Sequence, residues 1–136
     1  MAPTRPTVLH RHRVPLTAGP AAAAEARGQV RAAICTWDVP VDPDVAILLT
    51  SELVTNAIRH EAGESVVLVV TSSGDELRVD VHDTSCCLPM PGDAPVDAET
   101  GRGLMLVNTL STEWGSYRTP AGKAVYFTLA YQDGLF

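Results

Sequence analysis

The sequence predicts an α/β (α+β) two-layer sandwich, with a mixed, mostly antiparallel sheet and helices on one face. Three observations predict it. Two long stretches, 21–37 and 43–60, are rich in helix formers with apolar residues at helical spacing. Several short stretches are β-branched or alternate apolar with polar, and compact turns separate them. The resulting order, (β)ααββ–loop–αββ, groups the helices between strands that run in hairpins.

At 136 residues and 46% hydrophobic content the chain suits one domain with one sizeable core. That domain is expected over residues 15–136, with 1–14 a partly disordered segment or edge strand. A net charge of -6 argues against direct nucleic-acid binding, which usually needs a basic surface. No apolar run reaches the roughly 18 residues of a membrane span. "MAPTRPTVLHRHRVPLTAGP" is basic but lacks an apolar h-region, so no signal peptide is expected. Cys35, Cys86 and Cys87 are an odd set that builds no disulfide framework and suits a reducing cytosol, so a cytoplasmic protein is expected.

The elements follow in chain order. "TVLHRHRVPL" reads as an edge strand, because Pro15 is tolerated only near an edge or end. Pro20 can open the first helix, Ala21 to Trp37, with Ala24, Val30, Ile34 and Trp37 available for its buried side. "DVPVDPD" breaks the chain, and Asp42 then caps a second helix that has Pro43 at its first position. Val45, Leu49, Leu53 and Ala57 form its core stripe; Leu48, Glu52, Asn56 and His60 form the row beside it. "VVLVVTS" is a strand, "SGDE" a turn, and "LRVDVHD" a half-buried antiparallel strand. Residues 84–102 are a long loop of the kind that usually carries function. A short helix in "GLMLVNTLS", a strand in "EWGSYRT", a turn in "PAGK" and a last strand in "AVYFTLA" complete the chain.

Polar residues stand out against this frame. Asp83 shares the parity of Leu77, Val79 and Val81, while Arg78, Asp80 and His82 point the other way. A carboxylate on the core side either caps the next turn or lines a pocket and accepts a ligand's hydrogen bond. Glu52, Asn56 and His60 form either a solvated helix edge or a site. In the second case the Asn56 amide oxygen suits Mg²⁺ and the neighbouring Glu52 can act as a base. "GRGLMLV" sets Gly101 and Gly103 around Arg102 where a helix begins, an arrangement that lets a backbone approach phosphate. Gly122 is equally well explained by a hairpin. Cys86, Cys87 and His82 lack a second ligand pair for zinc. His82 and Asp83 face opposite ways, which argues against a hydrolase triad with Ser85. The GK[ST] ending of a P-loop is missing.

Together these motifs resemble the GHKL (histidine kinase/Hsp90-like) ATPase superfamily, and within it the bacterial anti-sigma-factor serine kinases and their stand-alone ATP-binding relatives. "ELVTNAIRH" resembles the N box, "VHDTSCCLP" stands where the first glycine box would be, "ETGRGLMLV" resembles the second and "GKAVYFTL" the terminal one. The first box departs from D-x-G-x-G: Asp83, Thr84, Ser85, Cys86 and Cys87 contain neither glycine. The resemblance implies a Bergerat-type ATP-binding fold with ATP and Mg²⁺ as cofactors. It implies Asn56 as the Mg²⁺ ligand, Glu52 as the general base and Asp83 as the acceptor for the adenine amino group. It also implies that Gly101, Arg102, Gly103 and Leu104 hold phosphates, with His60, Ser85, Pro89 and Gly122 at the nucleotide. The loop from Pro89 to Thr100 would be the lid. The expected partners are an adenine nucleotide, a sigma factor and an anti-sigma-factor antagonist, with no membrane and with room for a homodimer. The expected function is that of a serine/threonine protein kinase controlling a sigma factor by partner switching; the alternative is a nucleotide-binding interaction module with little or no phosphotransfer. Neither a phospho-acceptor histidine domain nor a transmembrane sensor is expected.

Overall fold

The computed structural model describes residues 8–60, 65–84 and 105–131. Strand β1 (His10–Thr17) is followed by helices α1 (Ala22–Trp37) and α2 (Pro43–His60). Strands β2 (Ser65–Ser72), β3 (Glu76–Asp83), β4 (Glu113–Thr119) and β5 (Gly122–Ala130) complete a five-stranded sheet in the order β1-β2-β3-β5-β4. A further helical stretch covers 105–110. Every strand pair is antiparallel, so the sheet is not mixed. The fold is an α+β sandwich.

One face of the sheet carries the core. Val66, Leu68 and Val70 of β2, and Leu77, Val79 and Val81 of β3, are at most 1% exposed. Phe127 of β5 is fully buried beside them. These period-2 rows meet Val30 and Ile34 of α1 and Leu49 and Leu53 of α2 in a single cluster. Truncating Phe127 there would cost about 3–5 kcal/mol.

The start of α2 follows the sequence closely. Asp42 Oδ1 accepts the Asp44 backbone N–H at 2.9 Å, and Pro43 is the first helical residue. The buried side of α1 differs from expectation. Ala24 is exposed, and Ala22, Ala26, Val30, Ala33 and Ile34 are buried. At about 100° per residue, Ala24 lies on the far side of the helix from Ala22. The helix stops at Asp38, in left-handed conformation (φ 54), with Asp38 N–H donating to Cys35 and Val39 N–H to Ile34. Pro15 lies in β1, an edge strand, as its missing N–H requires.

Candidate functional site

Helix α2 packs on β2, β3 and β5, so its inward residues face the central strands. Its stripe is wider than the expected row, because Ala46, Thr50 and Val54 are buried with Leu49, Leu53 and Ala57, while Val45 is only partly buried. Thr50 satisfies its hydroxyl by donating to the Ala46 carbonyl at 2.8 Å. The neighbouring row sinks progressively into the protein. Leu48 is 39% exposed, Glu52 is half-buried and Asn56 is 7% exposed. Asn56 is therefore not part of a solvated helix edge. Its Oδ1 is buried and accepts no hydrogen bond among the described residues. Buried amide oxygens are rarely left so, because the lost hydration costs about 1–3 kcal/mol. A hard cation or a ligand donor would satisfy it, so the residue fits the Mg²⁺ ligand that its position implies. His60 ends α2, and its side chain lies outside the described residues.

Asp83 ends β3 on the core side, 4% exposed, as its parity predicts. In the β3–β5 register it stands opposite Lys123, whose Nζ lies 3.8 Å from Asp83 Oδ2. Lys123 is 2% exposed. Assigning it to the turn hid its role. Extending the alternation of Val125, Phe127 and Leu129 back by one step puts Lys123 on the core face, a signal present in the sequence. Gly122 allows the close approach. A Cβ there would collide with the Asp83 carbonyl oxygen and the Thr84 backbone. Its N–H donates to Thr119 Oγ1 at 3.0 Å across the β4–β5 hairpin. Gly122 thus holds the end of β3 against β5 and fixes where Asp83 sits. Ser85, Cys86, Cys87, Pro89, Gly101, Arg102, Gly103 and Leu104 lie outside the described residues, as does the Pro89–Thr100 lid.

The opposite face of β3 is also polar and more ordered than an alternating solvent face suggests. Asp80 is 5% exposed and accepts from Arg78 Nε at 2.9 Å, Arg78 Nη2 at 3.0 Å and the Tyr117 hydroxyl at 2.7 Å. The Arg78 guanidinium lies over the Tyr126 ring, 4.0 Å from its centroid. Burial, then the bond to Asp80, pushes the Tyr117 hydroxyl up to about 12. The bond to Asp80 also raises Arg78 above its ordinary value. His82 packs edge-on against Tyr117, and burial lowers its pKa. Beside it a cavity of about 330 Å³ is lined by Arg11, Arg13, Val69, His82, Asp83 and Thr84. Asp80 with Arg78 and Tyr117 thus forms one polar system on β3, and Asp83 with Lys123 forms another at its end.

The description "Histidine kinase-like ATPase domain" belongs to the family model that matches residues 16–129. The chain belongs to this family. The match runs from the end of β1 to the end of β5 and so includes every element that positions Asn56 and Asp83. The histidine kinase-like ATPase fold is shared with the solved RsbU and RsbW domains of Rv1364c from Mycobacterium tuberculosis. That structure matches at a TM-score of 0.64 and 19% identity, over 90% of this chain and 32% of that one. The histidine kinase domain of the Erythrobacter litoralis EL346 blue-light activated histidine kinase matches at a TM-score of 0.49 and 24% identity, over 82% of this chain and 63% of that one. The chain thus spans about a third of the first protein and less than two thirds of the second. A comparison with curated protein sequences finds no match. Among the described residues no helix is long and apolar enough to cross a membrane.

Proposed function

We propose that this histidine kinase-like ATPase domain binds ATP with Mg²⁺ and acts as a serine/threonine protein kinase of the anti-sigma-factor type. It would phosphorylate an antagonist protein and control a sigma factor through it. One observation carries the reading: the Asn56 amide oxygen is buried and without a hydrogen-bond partner among the described residues, on the helix that also presents Glu52. Membership of the ATPase family and likeness in fold to an RsbW domain are in keeping with it.

Each residue has a chemical task in this reading. Asp83 accepts a hydrogen bond from the adenine amino group in a site closed to water, where an ionised acceptor is strongest. Asn56 Oδ1 supplies a neutral hard ligand. Mg²⁺, when bound, neutralises charge on the phosphates. Glu52, half-buried one turn before Asn56, takes the proton of the attacking hydroxyl. Gly101, Arg102, Gly103 and Leu104 hold the phosphates by backbone N–H groups and one guanidinium, with His60, Ser85, Pro89 and Gly122 around the nucleotide.

The test is phosphate transfer. Purified protein, ATP, Mg²⁺ and a candidate antagonist should yield a phosphoserine or phosphothreonine on the antagonist, and Glu52→Gln should lower the rate by about 10²–10⁴. Tight ATP binding with no transfer would leave a nucleotide-dependent interaction module. Absence of ATP binding would end both readings.

A further inference from the structure

Lys123 heads the fully buried side chains of the described residues by volume, yet it carries a strongly hydrated charge. Its ion pair with Asp83 is loose. At 3.8 Å the two groups are in ionic contact but not hydrogen-bonded, with side-chain exposures of 2% and 0%. An ammonium has three donors and no acceptor. Among the described residues the Lys123 ammonium donates no hydrogen bond, and its ionic contact is the Asp83 carboxylate. Loose buried ion pairs are poor stabilisers, and well-packed apolar residues of similar volume often replace them without loss. Folding alone therefore does not account for a lysine here.

The pair does match a ligand edge. Asp83 presents an acceptor and Lys123 a donor, opposite one another in the β3–β5 register and on one face of the sheet. The adenine edge presents the complement: the 6-amino group donates, and ring nitrogen N1 beside it accepts. We propose that Lys123 is a specificity-determining residue of the nucleotide site, donating to N1 while Asp83 accepts from the 6-amino group. This rests on the nucleotide reading above and adds a direct contact to the base. The hydrogen bond to N1 is charge-assisted, and it gives the ammonium an acceptor that the described residues do not supply.

The experiment is a cycle between one atom of the base and one side chain, read by titration calorimetry on the full chain. ATP is compared with 1-deaza-ATP, in which N1 is replaced by C–H. The parent should bind the analogue about tenfold or more weakly, as expected for a lost hydrogen bond to a charged group. Lys123→Met should weaken ATP binding and bind the two nucleotides equally. Should loss of the Lys123 charge beside the buried Asp83 carboxylate unfold that variant, the charge-free pair Asp83→Asn with Lys123→Met gives the same reading: no gap between the nucleotides. Equal binding of both nucleotides by the parent, or a gap that persists in the variants, overturns the role of Lys123 and leaves the nucleotide reading intact. A parent that binds neither nucleotide overturns both.

Discussion

Asp80 and Asp83 are buried on opposite faces of the same strand, and what each touches separates their roles. Asp80 is satisfied within the protein by Arg78 and Tyr117. Asp83 is buried at the end of β3, beside a lysine that is in ionic contact but not hydrogen-bonded to it. Asp80→Asn should therefore lower stability, by about 1.5–3 kcal/mol for a lost charge-assisted contact, and leave nucleotide affinity near the parent value. Asp83→Asn should weaken adenine-nucleotide binding by a comparable amount, and it should also lower stability by stranding Lys123. Urea denaturation beside calorimetry measures both, and equal nucleotide affinities for the two variants would remove Asp83 from the site. His82 gives a pH dependence on the outer face. Burial lowers its folded pKa below the ordinary 6.5, with Arg13 and Arg11 adding to that and Asp80 and Asp83 opposing it. The unfolded chain then binds a proton more readily than the folded one, so this contribution to stability is full above pH 6.5 and is lost as pH falls towards the folded value. Unfolding free energies measured at pH 8 and at pH 5.5 should differ less in His82→Gln than in the parent; an unchanged difference would show that His82 is not held neutral by the fold.

At the scale of elements, α2 and β5 do most to build the site. The α2 row Leu48, Glu52, Asn56 is legible in the sequence as a row, but its gradient of burial is not. That gradient comes from how the helix lies across the sheet, a tertiary fact that periodicity does not contain. The parity of Asp83 was legible because strand alternation is local and strict. Lys123 escapes the sequence reading because that reading starts the last strand at Ala124, two residues after β5 begins at Gly122. Gly122 looked like an ordinary turn glycine, and only the packed structure gives its second reason, the backbone of Asp83 and Thr84 lying against it. Gly122→Ala should thus act on two levels. It should lower stability by about 1–3 kcal/mol, as overpacking does, and it should weaken nucleotide binding by displacing Asp83. Thermal unfolding and nucleotide titration should therefore change together. A stability loss with unchanged affinity would make the glycine a matter of folding alone.

For the whole molecule, the order of elements was readable because hairpins and amphipathic helices leave local signals, and hairpin-joined strands favour antiparallel pairing. The central position of β3 and β5 needed the sheet itself, since β5 pairs with β3 across a long connection. Those two strands lie side by side and both pack against α2, the helix that carries Asn56. In the proposed Mg²⁺–ATP site, Asn56 contacts the metal and Glu52 does not serve binding. The most direct measurement is calorimetric titration of ATP, with and without Mg²⁺, into the parent, Asn56→Ala and Glu52→Gln. Mg²⁺ should tighten ATP binding in the parent and in Glu52→Gln, and this gain should be lost in Asn56→Ala while its ligand-free unfolding temperature stays close to the parent's. An Asn56→Ala protein that binds ATP as the parent does, with the same response to Mg²⁺, would contradict this assignment.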